Sequence, residues 1–178
     1  MLKSCTREYS IAGRDMETNL KKIKRMAEER ESEVDAFLEW VKVSRVSQRK
    51  LDARLKKLLR EIMPRFDCTG CAACCKDAYV VLEGEDIARM AEAVGMKRSK
   101  FRARYVTRNE DGDTCFNSRP CPFLENDLCT QYKARPDSCR EYPFSLAVDS
   151  KTKIENISAN YLVCPALFNA LEKLRDFI

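Results

Sequence analysis

The sequence predicts a mainly α protein. An antiparallel helical hairpin is expected at the N-terminus, followed by a small, irregular, cysteine-rich and mostly helical domain organised around one or more metal centres. Three observations carry that expectation: apolar residues in the first third recur at helical spacings, proline is absent before Pro64, and nine of the ten cysteines follow it. With 178 residues, 44% hydrophobic and 34% charged, the chain suits one ordinary domain or two small ones with a modest core. The boundary is drawn at Pro64, giving segments 1–63 and 64–178. Charge divides there too. Lys and Arg exceed Asp and Glu by 16 to 11 before Pro64 and match them at 17 each afterwards, so the formal excess of +5 lies on the first segment.

From Met16, the positions Leu20, Ile23, Ala27, Arg30, Val34, Phe37 and Val41 follow alternating steps of four and three, with Arg30 alone interrupting the apolar seam. That spacing predicts a long amphipathic helix. Ser44 to Gln48 form a break, with Ser47 placed to cap a second helix. This second helix carries Leu51, Leu55, Leu58, Leu59 and Ile62 on one face. It is expected to stop before Pro64, because the residue preceding a proline disfavours helical geometry. A short connection between two such helices implies the hairpin. Arg49, Lys50, Arg54, Lys56, Lys57 and Arg60 fall largely away from the leucines. The plainer reading is a solvated face; the alternative is a surface for nucleic acid or an acidic partner.

Further on, Leu82 to Met96 read as a helix with Glu85 and Asp86 in a first turn favoured by the helix dipole. Its apolar face is Ile87, Met90, Ala91 and Val94, and Gly95 is a natural stop. Lys100 to Val106 read as a shorter helix, Asn109 to Gly112 as a turn with short extended flanks, and Ala166 to Phe177 as a closing helix with Leu167, Leu171 and Leu174 inward. The longest charge-free run, Asn156 to Leu171, contains Pro165 and predicts no membrane span. The first ten residues lack an apolar stretch of signal-peptide length, so a cytoplasmic location is expected. Histidine is absent, which excludes Ser–His, Cys–His and His–metal chemistry.

What remains is sulfur. In Cys68-Thr-Gly-Cys71-Ala-Ala-Cys74-Cys75, three thiols succeed one another at spacings of three, as a tight loop directing sulfur to one point requires. Gly70 is read as permitting positive φ, with Ala72 and Ala73 keeping the backbone uncrowded. Cys75 directly follows Cys74, so the two side chains are expected to diverge. Downstream lie Cys115, Cys121, Cys129, Cys139 and Cys164, with Cys121 and Cys164 each followed by proline. Three chemistries compete. Disulfides suit a lysine-rich chain without a leader poorly, and a vicinal Cys74–Cys75 bridge would be strained. Zinc accepts four thiolates in a structural site. An iron–sulfur cluster also accepts all-cysteine ligation and commonly uses this loop spacing, which puts it ahead of zinc.

The cysteine run resembles the founding motif of the CxxCxxCC family of zinc- or iron-chelating domains. Cys121-Pro122-Phe123-Leu124, then Cys129, Tyr132, Arg135-Pro136, Cys139-Arg140, Tyr142-Pro143-Phe144 and finally Cys164-Pro165 extend the likeness over about residues 66–168. The resemblance implies Cys68, Cys71, Cys74, Cys75, Cys121, Cys129, Cys139 and Cys164 as chelators, divisible into two sets of four. Cys5 and Cys115 fall outside it and are read as free thiols. Arg135 and Arg140 belong to the motif and are read either as donors that neutralise the thiolate site or as ordinary ion-pair partners of Asp137 or Glu141. Tyr132, Tyr142 and Phe144 are expected to be packing residues. Flagellin lysine methylases resemble the family in their cysteine cluster, which points to methyl transfer as a remoter possibility.

The expectation is therefore a cytosolic metal-binding protein carrying iron–sulfur, most naturally [4Fe–4S], for electron transfer or support of a partner enzyme. The hairpin would dock a protein partner. The alternative is a zinc-stabilised module that binds protein or nucleic acid. Last comes a cluster-dependent methyl or redox transferase, since no Gly-rich nucleotide loop or acid–base pair is evident; whether the chain is an enzyme stays open.

Overall fold

The computed structural model describes residues 16–176. The fold is mainly α, as expected. Helix α1 spans Leu20–Val43 and is capped by Asn19, whose side chain accepts from the Lys22 N–H. Its buried residues are Ile23, Ala27, Val34, Leu38 and Val41. Leu38 thus takes the place expected of Phe37, which is half-buried, while Leu20 is exposed. Arg30, the break in the seam, reaches the buried Glu172 and pairs with it. Glu172 also accepts from Tyr161 Oη at 3.0 Å and from Arg175 at 3.2 Å, so the charge is accommodated by a network rather than by solvent.

Helix α2 spans Gln48–Ile62 and buries Leu51, Leu55, Leu58, Leu59 and Ile62. Ser47 occupies the cap position, but its side chain makes no capping bond. Pro64 sits in a 3-10 turn, Met63–Arg65, that closes the helix. Short helices α3 (Cys68–Cys71) and α4 (Ala73–Asp77) come next, then α5 (Gly84–Ala93) and α6 (Arg98–Tyr105). The expected helix through Val106 stops one residue short, because Val106 opens a strand. That strand, β1 (Val106–Arg108), pairs antiparallel with β2 (Thr114–Phe116), with Val106 opposite Phe116. A second hairpin joins β3 (Leu124–Glu125) to β4 (Leu128–Cys129). Helices α7 (Asp137–Glu141), α8 (Ile154–Tyr161) and α9 (Pro165–Arg175) complete the chain. Phe177, expected in the closing helix, lies outside the described residues, as does Cys5.

Apolar side chains gather in two clusters. The larger unites α1 and α2 with α8 and α9 and the 3-10 turn Phe144–Ala147. Both N-terminal helices pack on α9, whose Leu167, Ala170 and Leu171 are fully buried. The smaller cluster joins α5 and α6 to the strands through Leu82, Ile87, Met90, Ala91, Phe101, Phe116 and Phe123. Three of its seven buried residues are aromatic, and Phe123 lies within 6.0 Å of Phe101, 5.4 Å of Phe116 and 5.0 Å of Tyr105, centroid to centroid. No helix among the described residues is long and apolar enough to cross a membrane.

Candidate metal centre

Between the two clusters lies a cavity of about 320 Å³, and Cys68, Cys71, Cys74, Cys75, Cys121, Cys129, Cys139 and Cys164 all line it. Every described cysteine is a free thiol. Cys115 is buried in β2 and does not line the cavity. The wall is otherwise apolar: Met63, Phe66, Phe144 and Ala166 face it from the large cluster, and Met90, Phe116 and Phe123 from the small one.

Local structure explains how each thiol arrives. The Asp67 carboxylate caps α3, accepting from the Thr69 N–H at 3.0 Å. α3 ends at Ala72, which is left-handed at φ 48°, and α4 starts from the same residue. The Cys68–Cys75 run is therefore two short helices turned by a single residue, not a loop. The positive φ falls on Ala72, and Gly70 serves differently: a Cβ there would stand 3.0 Å from the Asp67 carboxylate oxygen. An L-residue held left-handed costs about 1–2 kcal/mol, so tertiary contacts must hold Ala72 in place.

The Cys121 N–H donates to the Cys75 carbonyl at 2.7 Å, fixing these two residues side by side. Asn126 and Asp127, at φ 48° and 63°, make the two-residue turn that returns Cys129 opposite Leu124. Lys76 pairs with Asp127 at 2.5 Å and ties that turn to α4. Cys139 sits on α7. Cys164 stands at the N-cap of α9, where the backbone N–H groups of Leu167 and Ala166 favour its thiolate.

The neighbouring Cys74 thiol lowers the Cys75 pKa, with help from the Lys76 charge. Cys75 in turn, with burial, drives Cys74 strongly upward. Burial pushes Cys139 to about 12 and Cys121 and Cys164 to about 11, and raises Cys68 and Cys129. The thiols act on one another in two overlapping neighbourhoods. Cys121, Cys129 and Cys139 each feel Cys75; Cys74 feels Cys75, Cys164 and Cys139 and so links the two, Cys164 feels Cys68, and Cys68 feels Cys71. Among the described residues, no three Cys, Asp or Glu side chains are gathered closely enough to hold one bare ion. The sulfurs share the walls of one chamber.

Arg135 and Arg140 both line the cavity. The Arg135 guanidinium stacks on the exposed Tyr132 ring at 3.7 Å, and its charge favours the Cys129 thiolate. Tyr132 is thus a rim residue and not the packing residue expected. Arg140 is occupied by the Arg135 and Lys133 carbonyls, at 2.9 and 2.7 Å, and stands 3.5 Å from Asp137. Tyr142 and Phe144 pack against the large cluster as expected, and the hydroxyl of the half-buried Tyr142 donates to Asn160 Oδ1 at 2.8 Å. Sequence reasoning misses Asp86 and Arg89, whose contacts with the Cys139 segment have no signal in spacing or composition.

The donor set suits a soft, thiolate-preferring metal: the cavity offers eight thiols and one carboxylate, Asp127, already paired with Lys76. Eight thiols set among apolar side chains on one cavity wall are the mark of a cysteine-rich domain of the metal-chelating class. The CxxCxxCC family model, described as "Putative zinc- or iron-chelating domain", matches residues 67–165, more than half of the chain, and the chain belongs to that family. Comparison with curated proteins and with solved structures finds no match.

Proposed function

We propose that this is a cytosolic iron–sulfur protein whose eight cysteines hold one or two clusters, for electron transfer or in support of a partner enzyme. The observation that carries the proposal is the meeting of Cys68, Cys71, Cys74, Cys75, Cys121, Cys129, Cys139 and Cys164 on a single cavity of about 320 Å³. A zinc ion sits about 2.3 Å from each of four thiolates and fills its own site. This cavity corresponds to roughly ten water volumes at about 30 Å³ each, and such space suits a larger inorganic core. The two neighbourhoods favour Cys75, Cys121, Cys129 and Cys139 for one [4Fe–4S] centre and Cys68, Cys71, Cys74 and Cys164 for the other. Such a cluster, when bound, supplies one-electron chemistry. The chain's own residues hold it, shield it with the apolar wall and offset its negative charge with Arg135. The N-terminal helices are the proposed docking element for a protein partner.

Oxygen-protected protein tests the proposal. The expected preparation is brown, absorbs broadly in the visible, and contains iron and acid-labile sulfide. Colourless protein with stoichiometric zinc would favour instead the zinc-stabilised binding module. The exposed Arg49, Lys50, Lys57 and Arg60 on α2 suit that second reading. Its mark is binding to an acidic protein or nucleic acid that weakens steeply with salt.

A further inference from the structure

Helix α5 carries no cysteine, yet it grips the segment that delivers one. Asp86, only 2% exposed, accepts the Glu83 N–H at 3.0 Å with one carboxylate oxygen and the Asp137 N–H at 3.1 Å with the other. The first bond completes a capping box at the start of α5; the second binds the start of α7, two residues before Cys139. Arg89, one turn along, pairs with Asp86 and reaches the same segment. Its Nε donates to the Ala134 carbonyl at 3.3 Å, and its Nη2 is shared between the Arg135 carbonyl at 3.2 Å and Asp137 Oδ1 at 2.8 Å. Ser138 Oγ closes the grip by donating to the Val81 carbonyl at 2.7 Å.

Such a set of bonds exceeds what α5 needs for its own stability. A capping box uses one carboxylate oxygen of Asp86; the other oxygen, with Arg89 Nε and Nη2, reaches out to residues 134–137. A guanidinium suits this work because its planar fork serves several acceptors at once, whereas an ammonium is a single point. Met90, next to Arg89, both lines the cavity and belongs to the small cluster, so the grip is anchored in a packed core. We infer that Asp86 and Arg89 are positioning residues for the thiolate site: they set where Cys139 and Arg135 stand on the cavity wall. The inference rests on the chelating reading and adds the residues through which one wall of the site is placed.

Cobalt(II) is the probe, because its thiolate-to-metal absorption reports how many sulfurs hold it. Arg89→Ala is compared in the wild-type and Cys139→Ser backgrounds, with helical circular dichroism as the check on folding. Partners outside the ligand set typically change metal affinity by about 10- to 100-fold. Arg89→Ala is expected to weaken cobalt binding by that factor and to reduce the thiolate absorption at unchanged helicity. In the Cys139→Ser background the same change should have little further effect, since the ligand it acts through is gone. Arg89→Lys, which keeps the charge but not the fork, should behave like Arg89→Ala and serves if the alanine variant fails to fold. Undiminished binding, or an equal loss in both backgrounds, would overturn the positioning role while leaving the metal site intact. A wild-type chain that binds no cobalt and contains neither iron nor zinc would sink the chelating reading and this inference with it.

Discussion

The two apolar clusters are built on different terms. The large one is aliphatic and spans the chain from Ile23 to Leu174. Its helices bring nothing to the cavity but apolar wall and Cys164. The small one is compact in sequence, from Leu82 to Phe123, and aromatic. Cys121 packs against it, and its helix α5 holds the Cys139 segment. The cavity lies where they meet, so filling it would join two cores that otherwise adjoin along a wall of thiols. The comparison teaches that stability and the site are divided unevenly: the large cluster supplies most of the buried surface, each cluster holds one of the eight thiols, Cys164 or Cys121, and the other six come from segments outside both.

The harshest test of that division is removal of residues 1–63. The cut separates α1 and α2 from α9, whose Leu167, Ala170 and Leu171 they cover. The expected fragment aggregates and melts without cooperativity; a metallated fragment with a cooperative melt would establish an independent domain from Pro64 onward. Next in size is Cys71→Ser, expected to lose metal and destabilise the segment around it, whereas Cys115→Ser and Cys5→Ser keep the wild-type metal content. Metal analysis of oxygen-protected protein reads all three.

The pH dependence comes third. Cys121, Cys139 and Cys164 hold their protons to about 11–12, against an ordinary thiol value of 9.0, so metal must displace them. Zinc affinity, followed against a chromophoric chelator, should rise between pH 6 and pH 9 by about tenfold per unit for each proton displaced. The metal-free fold should move the other way above that range. From 9 towards 12 the unfolded chain sheds protons that the folded thiols keep, so stability present below 9 is lost as pH rises.

Smaller effects sharpen the contrast. Leu171→Ala in the large cluster should cost about 3 kcal/mol, seen in denaturant melts, and leave the metal-to-protein ratio alone. Phe123→Ala should cost a similar ~3 kcal/mol and also lower metal affinity, since Phe123 packs two residues from Cys121. The least change is expected from Arg30→Ala, about 1 kcal/mol, because Glu172 keeps Tyr161 and Arg175 as partners.

Periodicity makes α1, α2, α5 and α9 legible, because a helix facing a core repeats its apolar residues whatever that core turns out to be. Helix α8 escapes it: Ile154, Ile157 and Tyr161 span only two turns, too few for a repeat to stand out. The left-handed residue is Ala72 and not the expected Gly70, since glycine signals freedom and not use, and Ala72 takes the strain instead. Tyr132 misleads because a motif tyrosine looks alike whether it packs inside or carries an arginine on its face.

The sequence by itself determined that α1, α2, α5, α6 and α9 are helical and that sulfur is the abundant ligand, since both are written in local spacing and residue type, and its resemblance to the family nominated the eight thiols. Only the tertiary structure decided that those thiols line one chamber between two cores, and that Asp86 and Arg89 hold the Cys139 segment. Such facts depend on which distant segments meet. Chain closure and packing choose those meetings collectively, and neighbouring letters do not record them.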